Sequence, residues 1–198
     1  MGKVCAELSM SLDGFVAYRD DNPGPVFDWY ASGPVEIKTT NPELTFHVSD
    51  ASAKHIRENW PQIGCHLVGR HLFDITDGWG GRHTVDAPVV VVTHRGEPAE
   101  WRERFPEAPF TFVDDLKKGV SVAKELAGER NISVAGPSLI QQVVNLSLMD
   151  EITVSLVPVL MGDGIPFFGT LDTGAVKLSG PRIVQGSGVT HLTYDVVR

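Results

Sequence analysis

The fold class is decided by residues 131–160, which read NISVAGPSLIQQVVNLSLMDEITVSLVPVL. This pattern predicts a strand over residues 132–135, a helix over 137–148 and a long apolar strand over 152–160. The helix is indicated by a stripe of apolar residues on one face and by Pro137 at its first position. A strand, a helix and a second strand in succession are typical of a parallel sheet in an α/β protein.

The same alternation of strands and helices extends toward the N-terminus. Residues 88–93 include four consecutive valines, and a run without polar alternation suits a central strand that is covered on both faces. Ser49 and Asp50 are the candidate N-caps of the first helix, and Pro61 is its stop. The other predicted elements are strands at 4–8, 15–18, 65–68 and 110–113 and helices at 49–60 and 116–126.

Toward the C-terminus the period changes to two residues. Residues 176–185 and 189–197 alternate in this way, and the sequence Gly186-Ser187-Gly188 between them predicts the turn of an antiparallel hairpin. The whole chain is therefore predicted to be one α/β domain over residues 1–198, with a mainly parallel sheet, helices on both faces and the hairpin at one edge.

Residues 22–42 are rich in Pro and Gly and are predicted to form a long loop. Trp29 and Tyr30 lie in this segment. They suit a surface that faces a substrate, or they pack onto the body of the protein, and the sequence leaves both readings open.

Composition limits the classes of partner. The 198 residues include 17 Lys and Arg against 25 Asp and Glu, a net charge of −8, which argues against a nucleic-acid-binding or anionic membrane surface. Cys5 and Cys65 are expected to be reduced thiols in the core, because two cysteines make no disulfide framework. Without a signal-peptide pattern or an apolar run approaching ~18 residues, we expect a soluble, cytoplasmic protein.

Phosphate-compatible groups follow three of the predicted strands, and the ends of parallel strands share one edge of a sheet. They are Gly136-Pro137-Ser138, Gly69-Arg70-His71 and Thr93-His94-Arg95. At the first, unpaired N–H groups of Ser138, Leu139 and Ile140 would face outward at the positive end of a helix dipole. Each signal alone also fits an ordinary turn or a solvated arginine, but together they predict a polyphosphate or dinucleotide site.

Several familiar site motifs are missing from the sequence. The segment Gly162-Asp163-Gly164 does not continue as a Rossmann fingerprint, because Phe167 stands where the third glycine would be. There is no Walker A loop, no GxSxG and no HExxH, and the histidines have no cysteine partners at metal-binding spacing. We therefore predict no metal site.

The same strand ends carry a family resemblance. The chain resembles the dihydrofolate reductase-like superfamily, in the branch that includes the reductase domain of riboflavin biosynthesis. The resemblance is longest over residues 134–140, 148–152 and 158–164 with Phe167, and it also includes Ser11-Leu12-Asp13-Gly14, Val68-Gly69-Arg70 with Phe73, and residues 90–93. It implies a three-layer fold with about eight strands, and NADPH as the hydride donor.

The resemblance also implies roles for the strand-end residues. Gly136, Ser138, Leu139 and Ile140 would cradle the pyrophosphate, and Gly69 and Arg70 would hold the phosphates from the opposite side. Thr93, His94 and Arg95 would lie near the adenosine and its 2′-phosphate, which a positive cluster suits. The chain departs from the family at Ala135, where a glycine is usual, and the alanine methyl group would crowd the cofactor.

On the substrate side, dihydrofolate reductases place a carboxylate on the first helix. Asp50 lies at the start of the corresponding helix, although an N-cap serves equally well as its role. Asp13 is the second catalytic candidate, with ordinary turn chemistry as its alternative. Trp29, Tyr30 and Trp79 would stack on a flat heterocycle, or they would pack against other residues of the protein.

These features lead us to expect an NADPH-dependent oxidoreductase that acts on a CH–OH, C=N or C=C group of a small planar heterocycle. Its substrate would be pyrimidine- or pterin-like, as in 5-amino-6-(5-phosphoribosylamino)uracil reduction. The alternatives are a dihydrofolate or pterin reductase, a non-catalytic nucleotide-binding module, and an unrelated phosphosugar binder. A homodimer is expected, because the long apolar strand and the hairpin offer an apolar surface and related domains dimerise.

Overall fold

The computed structural model describes residues 2–197, which form twelve strands, five α-helices and three 3₁₀ helices. The strands are β1 (Val4–Ser11), β2 (Phe15–Ala17), β3 (Val35–Lys38), β4 (Thr45–Val48), β5 (Ile63–Gly69), β6 (Val89–Val92), β7 (Phe110–Val113), β8 (Asn131–Ala135), β9 (Glu151–Val157), β10 (Ile165–Pro166), β11 (Arg182–Gln185) and β12 (Thr190–Asp195). The α-helices are α1 (Asp50–Asn59), α2 (Arg70–Ile75), α3 (Trp101–Arg104), α4 (Leu116–Ala127) and α5 (Pro137–Asn145). The 3₁₀ helices lie at Gly24–Ala31, Trp60–Gln62 and Asp77–Gly81.

Eight of the strands form one sheet in the order β11-β12-β9-β1-β8-β5-β6-β7. Neighbours from β9 through β7 are parallel, whereas β12 is antiparallel to both β9 and β11. The predicted α/β class, the parallel sheet and the C-terminal antiparallel pair are therefore confirmed. Because β5, β6 and β8 are parallel neighbours or next neighbours, their carboxyl ends meet at one edge.

One face of the sheet carries the main core, in which α4 and α5 pack against alternate residues of the central strands. The apolar stripe of α5 packs there with Val134 of β8, Ala6 of β1 and Phe167. Burial of this stripe, rather than helix propensity alone, stabilises a helix of only nine residues. The sequence pattern from which the fold was predicted is thus the pattern of the core.

The opposite face is covered in two separately packed parts. The first cover consists of the 3₁₀ helix Gly24–Ala31, the β3–β4 hairpin and α1, which pack together with Val157 and Val189. The second cover consists of α2, the turn Asp77–Gly81 and α3, which pack on β5, β6 and β7 around Phe73 and Trp101. The two covers lie over different halves of the sheet.

A groove remains between the two covers, over the central strands β1 and β8. Cys5 and Glu7 of β1 and Ser133 and Ala135 of β8 are all partly exposed. Cys5 and Ser133 are register partners, and residues two apart point to the same face of a sheet. A central parallel strand is normally covered on both faces, so this exposure marks an opening. We call it the central groove.

Three predicted segments differ from the structure. Residues 22–42 are not one loop, because they contain the 3₁₀ helix Gly24–Ala31 and strand β3. The predicted strand 152–160 ends at Val157, immediately before Pro158, which cannot donate to a sheet ladder. The predicted strand 176–185 is ordered as a strand only over Arg182–Gln185, because Gly180 and Pro181 interrupt it.

Both cysteines are free, as expected, and Cys65 is buried in the core. Cys5 is partly exposed in the central groove, so the prediction that it lies in the core is wrong. Within residues 2–197, no helix is long and apolar enough to cross a membrane.

Candidate functional site

The three predicted phosphate-binding segments lie on one edge of the sheet. Val68 of β5 is the register partner of Ala135 of β8, and Gly69 is the partner of Val92 of β6. The residues that follow these strands therefore emerge side by side, as the sequence predicts. We call this part of the molecule the strand-end edge.

The backbone of the strand-end edge is open to close approach. Gly136 has a φ of 95°, in the region that favours glycine, and a Cβ atom built there would meet only Leu72 Cδ2, at 3.9 Å. A Cβ atom on Gly69 or Gly96 would have nothing within 4 Å. The strand-end edge therefore leaves room for a phosphate chain to lie against the backbone. The binding of a dinucleotide requires such room, and the residues of the edge fit a dinucleotide on this point.

The donors at the start of α5 differ from the prediction. The N–H groups of Leu139 and Ile140 both donate to the Gly136 carbonyl, at 3.0 Å, and both side chains are buried in the core. The prediction that these two N–H groups are unpaired is therefore wrong. The tight first turn uses them internally, which leaves Gly136 and the exposed Ser138 as the surface of this helix start.

The arginines of the strand-end edge share one carboxylate. Arg70 Nε donates to Asp74 Oδ1 at 2.6 Å, and Arg95 Nη2 donates to Asp74 Oδ2 at 2.8 Å. Partial burial acts to raise the pKa of Asp74, but the hydrogen bond and charge of Arg70 and those of Arg95 hold this pKa below its usual value. The structure thus joins the second and third predicted segments.

The remaining residues of these segments have different surroundings. Thr93 is buried, and its Oγ1 accepts a hydrogen bond from the Arg95 N–H at 3.1 Å. His94 is exposed. His71 lies away from the arginines, with its Nε2 2.8 Å from Asp21 Oδ1.

The central groove holds a carboxylate–imidazole pair. Glu7 lies on β1, with 34% of its side chain exposed, and its Oε1 is 3.0 Å from Nε2 of the buried His55 on α1. The Asn59 amide nitrogen lies 3.2 Å from His55 Nδ1. Donation from Asn59 to Nδ1 leaves the proton on Nε2, where it points at Glu7.

A second imidazole, His191 of β12, stacks on His55 with ring centroids 4.3 Å apart and an interplanar angle of 12°. Its Nδ1 is 2.8 Å from Ser155 Oγ, and its Nε2 is 3.0 Å from Ser52 Oγ. Burial, and to a smaller extent the charge of His55, lowers the pKa of His191 to about 4. His191 is therefore neutral near pH 7 and anchors the pair to the sheet.

Glu7, His55 and His191 bring three possible metal-ligand atoms within 4.8 Å of one another. Imidazole lone pairs lie in the ring planes, and the two nearly parallel rings direct them past each other rather than toward one point. Both nitrogens of His191 also contact serine hydroxyls. The arrangement is that of a hydrogen-bonded network and not of a preformed metal site.

The three predicted stacking aromatics are placed differently from one another. Trp29 is only 3% exposed, and its indole N–H donates to Ser9 Oγ at 2.9 Å, so of its two alternatives the structure bears out packing onto the body of the protein. Tyr30 lies between Trp29 and Phe46, with ring centroids 3.9 and 4.3 Å away. Burial, followed by the charge of Glu7, raises the pKa of Tyr30. Both rings therefore pack in the first cover.

Trp79 is partly exposed and has a φ of 52°, which is unusual for a residue other than glycine. Its ring meets His83 edge-on at 4.5 Å, and His83 stacks on His66 at 3.6 Å. His66 is the register partner of Ser133, so this aromatic series borders the central groove. The contact predicted between Trp79 and a substrate stays a prediction.

Asp50 occupies the first position of α1, and Ser49 is the N-cap, because its side chain accepts a hydrogen bond from the Ser52 N–H. Asp50 is exposed, and the neighbouring Ser49 Oγ also accepts from the Ser187 N–H of the β11–β12 turn. The catalytic role of Asp50 stays a prediction.

Asp13 joins two loops. Its carboxylate accepts hydrogen bonds from Ser11 Oγ at 2.6 Å, from the Met161 N–H at 3.1 Å and from the Gly162 N–H at 2.7 Å. The bond from Ser11 and then that from Gly162 lower its pKa. A carboxyl group that is held ionised in this way is a poor proton donor, and its catalytic role stays a prediction.

We expect Asp13→Ala to speed hydrogen exchange of the Met161 and Gly162 amides by about tenfold, because both lose their acceptor. Exchange followed by NMR measures this effect. Asp163→Ala is the control, since Asp163 lies in the same loop but pairs with Arg19. Unchanged exchange together with lost turnover would instead assign Asp13 to catalysis.

Sequence reasoning missed Glu7, His55 and His191. A signal was available in the sequence of β1 and β9, which were predicted to be apolar strands, because polar residues recur there at every second position. Glu7, Ser9 and Ser11 alternate along β1, and the register partners of Glu7 and Ser9, which are Thr153 and Ser155, alternate along β9. A polar row on one face of central strands indicates a face that is open or hydrogen-bonded.

Solved structures of several other proteins have a fold similar to that of this chain. A protein of Shewanella sp. PV-4 assigned to riboflavin biosynthesis has a TM-score of 0.72 and 20% identity, with 99% of each chain covered. Dihydrofolate reductase from Enterococcus faecalis, solved with NADP(H), has a TM-score of 0.59 and 16% identity, and covers 100% of this chain and 98% of its own. At these identities the likeness establishes the fold.

The deaminase/5-amino-6-(5-phosphoribosylamino)uracil reductase of Thermotoga maritima has a TM-score of 0.62 and 11% identity, and this chain covers 57% of its length. A comparison with curated proteins gives no match. The model of one family, the RibD C-terminal domain, matches residues 2–191. The chain therefore belongs to the RibD C-terminal domain family, and its fold is that of the dihydrofolate reductase-like superfamily.

Proposed function

We propose that the protein is an NADPH-dependent reductase of a small planar heterocycle of the pyrimidine or pterin type. The observation that carries this proposal is the continuity between two features. Ala135 borders the central groove and Gly136 opens the strand-end edge, so a ligand bound along the edge reaches directly into the groove. Membership of the RibD C-terminal domain family supports the same reading.

In this proposal the cofactor lies along the strand-end edge. Gly136 and Ser138 face its pyrophosphate, with Leu139 and Ile140 shaping the helix start behind them. Gly69 and Arg70 approach from the other side, and Thr93, His94 and Arg95 lie toward the adenosine. The bound dinucleotide would supply a hydride, and the chain would orient both reactants and exclude water between the two covers.

The proton required beside the hydride comes, in our proposal, from Glu7, which His55 positions. Glu7 reaches the groove, and the His55 Nε2–H lies 3.0 Å from the Glu7 carboxylate and stays on the imidazole. Glu7 takes up a proton from solvent through its exposed part, passes it to a nitrogen or oxygen of the substrate and returns to the carboxylate form. Asp13 and Asp50 are the competing candidates.

A non-catalytic nucleotide-binding module is the second candidate. It is favoured by the engagement of Arg70 and Arg95 with Asp74 and by the Ala135 methyl group beside the groove. Such a module would bind nucleotide without oxidising it.

Titration with NADPH, followed by nicotinamide fluorescence, tests the cofactor, and consumption of NADPH with a panel of pyrimidines, pterins and dihydrofolate tests the reaction. We expect binding in the micromolar range and oxidation by one class of the panel. Binding without oxidation would favour the non-catalytic module. No binding at high micromolar concentration would contradict both readings.

Arg70→Ala is expected to weaken NADPH binding by roughly tenfold, because a charge-assisted hydrogen-bond donor to phosphate is lost. Arg19→Ala is the matched control, since Arg19 also pairs with a single aspartate, Asp163, but lies outside the strand-end edge. Equal affinities of the two variants would contradict the proposed position of the cofactor.

We also propose that the protein is a homodimer. The strand β11 at one end of the sheet offers an exposed apolar residue, Ile183, for such a contact. Light scattering measures the assembly, and a monomer at high micromolar concentration would contradict it.

A further inference from the structure

Asp74 holds two guanidinium groups that come from the ends of two adjacent strands. Arg70 follows β5 and Arg95 follows β6, and their nitrogens lie 2.6 and 2.8 Å from the two oxygens of the one carboxylate. The side chain of Arg70 is 17% exposed, that of Arg95 is 63% exposed and that of Asp74 is 37% exposed. All three are therefore within reach of a ligand on the strand-end edge.

The donors of Arg70 are largely engaged within the protein. Its Nε contacts Asp74, and its Nη1 donates to the Gly96 carbonyl at 2.9 Å. Asp74 thus acts as an internal anion in the position where the two arginines would receive a phosphate. The cluster carries two positive charges and one negative charge, so its net attraction for an incoming dianion is about half that of the arginines alone.

Room for a ligand phosphate to approach the two arginines is present beside the cluster. A groove of about 350 Å³, lined in part by Phe73, Asp74 and Pro98, opens next to it. A phosphate that binds here shares the two arginines with Asp74, which brings two negative groups together. A hydroxyl group meets no such repulsion and can donate a hydrogen bond to the carboxylate.

We propose that Asp74 is the residue that sets cofactor specificity, by weakening the preference for a 2′-phosphorylated dinucleotide over its 2′-hydroxyl form. This inference rests on the proposed function. It adds that the carboxylate at position 74 reduces the preference of the wild-type protein for NADPH over NADH.

Asp74→Asn is the test, because the amide keeps the shape and one acceptor but removes the charge. We expect its affinity for NADPH relative to NADH to rise by roughly tenfold, because the freed Arg70 faces the pyrophosphate that both cofactors share, whereas the freed Arg95 faces only the 2′-phosphate. Competition of 2′,5′-ADP and 5′-ADP against the bound cofactor supplies a binding readout that does not depend on turnover. The advantage of 2′,5′-ADP should grow by the same factor.

Asp86→Asn is the matched control. Asp86 also pairs with an arginine four residues before it, Arg82, and its loss changes the net charge equally. This variant should leave both affinities unchanged. Equal gains for NADPH and NADH in Asp74→Asn, no gain for either, or the same gain in Asp86→Asn would overturn the inference.

The two proposals fail in distinguishable ways. Failure of every variant to bind either cofactor would contradict the proposed function as well. NADPH binding by the wild type with an unchanged NADPH-to-NADH ratio in Asp74→Asn would contradict the role of Asp74 alone. If Asp74→Asn does not fold, Asp74→Ser removes the same charge with a smaller side chain, and the same ratios decide the question.

Discussion

Glu7→Gln is expected to lower kcat/KM for NADPH-dependent reduction by roughly 10²- to 10³-fold, the range of a lost general acid. Glutamine has nearly the shape of glutamate and still offers an oxygen to His55 Nε2, so the groove keeps its form. It cannot take up or release a proton at this position. The affinity for NADPH, measured by fluorescence, should stay within about twofold, because the strand-end edge is unchanged.

The control for Glu7→Gln is Glu36→Gln, which removes the same charge from an exposed residue of β3 that pairs only weakly with Lys38, at 3.6 Å. It should keep wild-type kinetics. Asp13→Asn and Asp50→Asn, assayed in parallel, compare the competing acids. Wild-type kcat/KM in Glu7→Gln, or a larger loss in either aspartate variant, would refute the role of Glu7.

Acidification from pH 7 to pH 5 is expected to cost about 2 kcal/mol of unfolding free energy for each of His66 and His191. Burial lowers the pKa of His66 to about 3 and that of His191 to about 4, against 6.5 in the unfolded chain. Between pH 6.5 and about 4, the unfolded state therefore binds protons that the folded state does not. Stability from these groups is complete above pH 6.5 and is lost as the pH falls. His83, whose pKa burial lowers to about 4, acts in the same direction.

Urea unfolding at pH 7, 6 and 5 measures this loss. His191→Gln should reduce the slope of stability against pH by about one bound proton, even if it is less stable at pH 7. Equal stability of the wild type at pH 7 and pH 5 would contradict the buried, neutral state of these histidines.

The parallel core was predictable because its signals are local and strong. The segment 131–160 forms the strand, helix and strand that its apolar pattern predicts, although the helix ends at Asn145 and the second strand at Val157. Ser49, one of the two predicted N-cap candidates, caps α1. Errors occurred where a neighbour decides the outcome. Residues 22–42 contain a 3₁₀ helix and strand β3, which pack against residues that are distant in the sequence. Trp29, for example, donates to Ser9 of β1, a contact that no local pattern predicts.

The strand-end edge was located correctly because strand direction alone brings Gly69, Thr93 and Gly136 together. The state of its donors was not predictable. The Ile140 N–H makes the regular i→i−4 bond of a helix that begins at Pro137, whereas the i→i−3 bond of Leu139 depends on the tightness of the first turn. Asp74 bridges Arg70 and Arg95 only because β5 and β6 are adjacent. Glu7 and His55 are 48 residues apart in the chain and meet only through the packing of α1 on the sheet.

The separate packing of the two covers has a consequence for cooperativity. Each cover has its own aromatic cluster, one around Trp29 and Tyr30 and the other around Phe73 and Trp101. A ligand that fills the space between them would touch both covers and would so link their local opening equilibria. Ligand binding would then merge two units of hydrogen exchange into one, and would protect amides that lie far from any atom of the ligand.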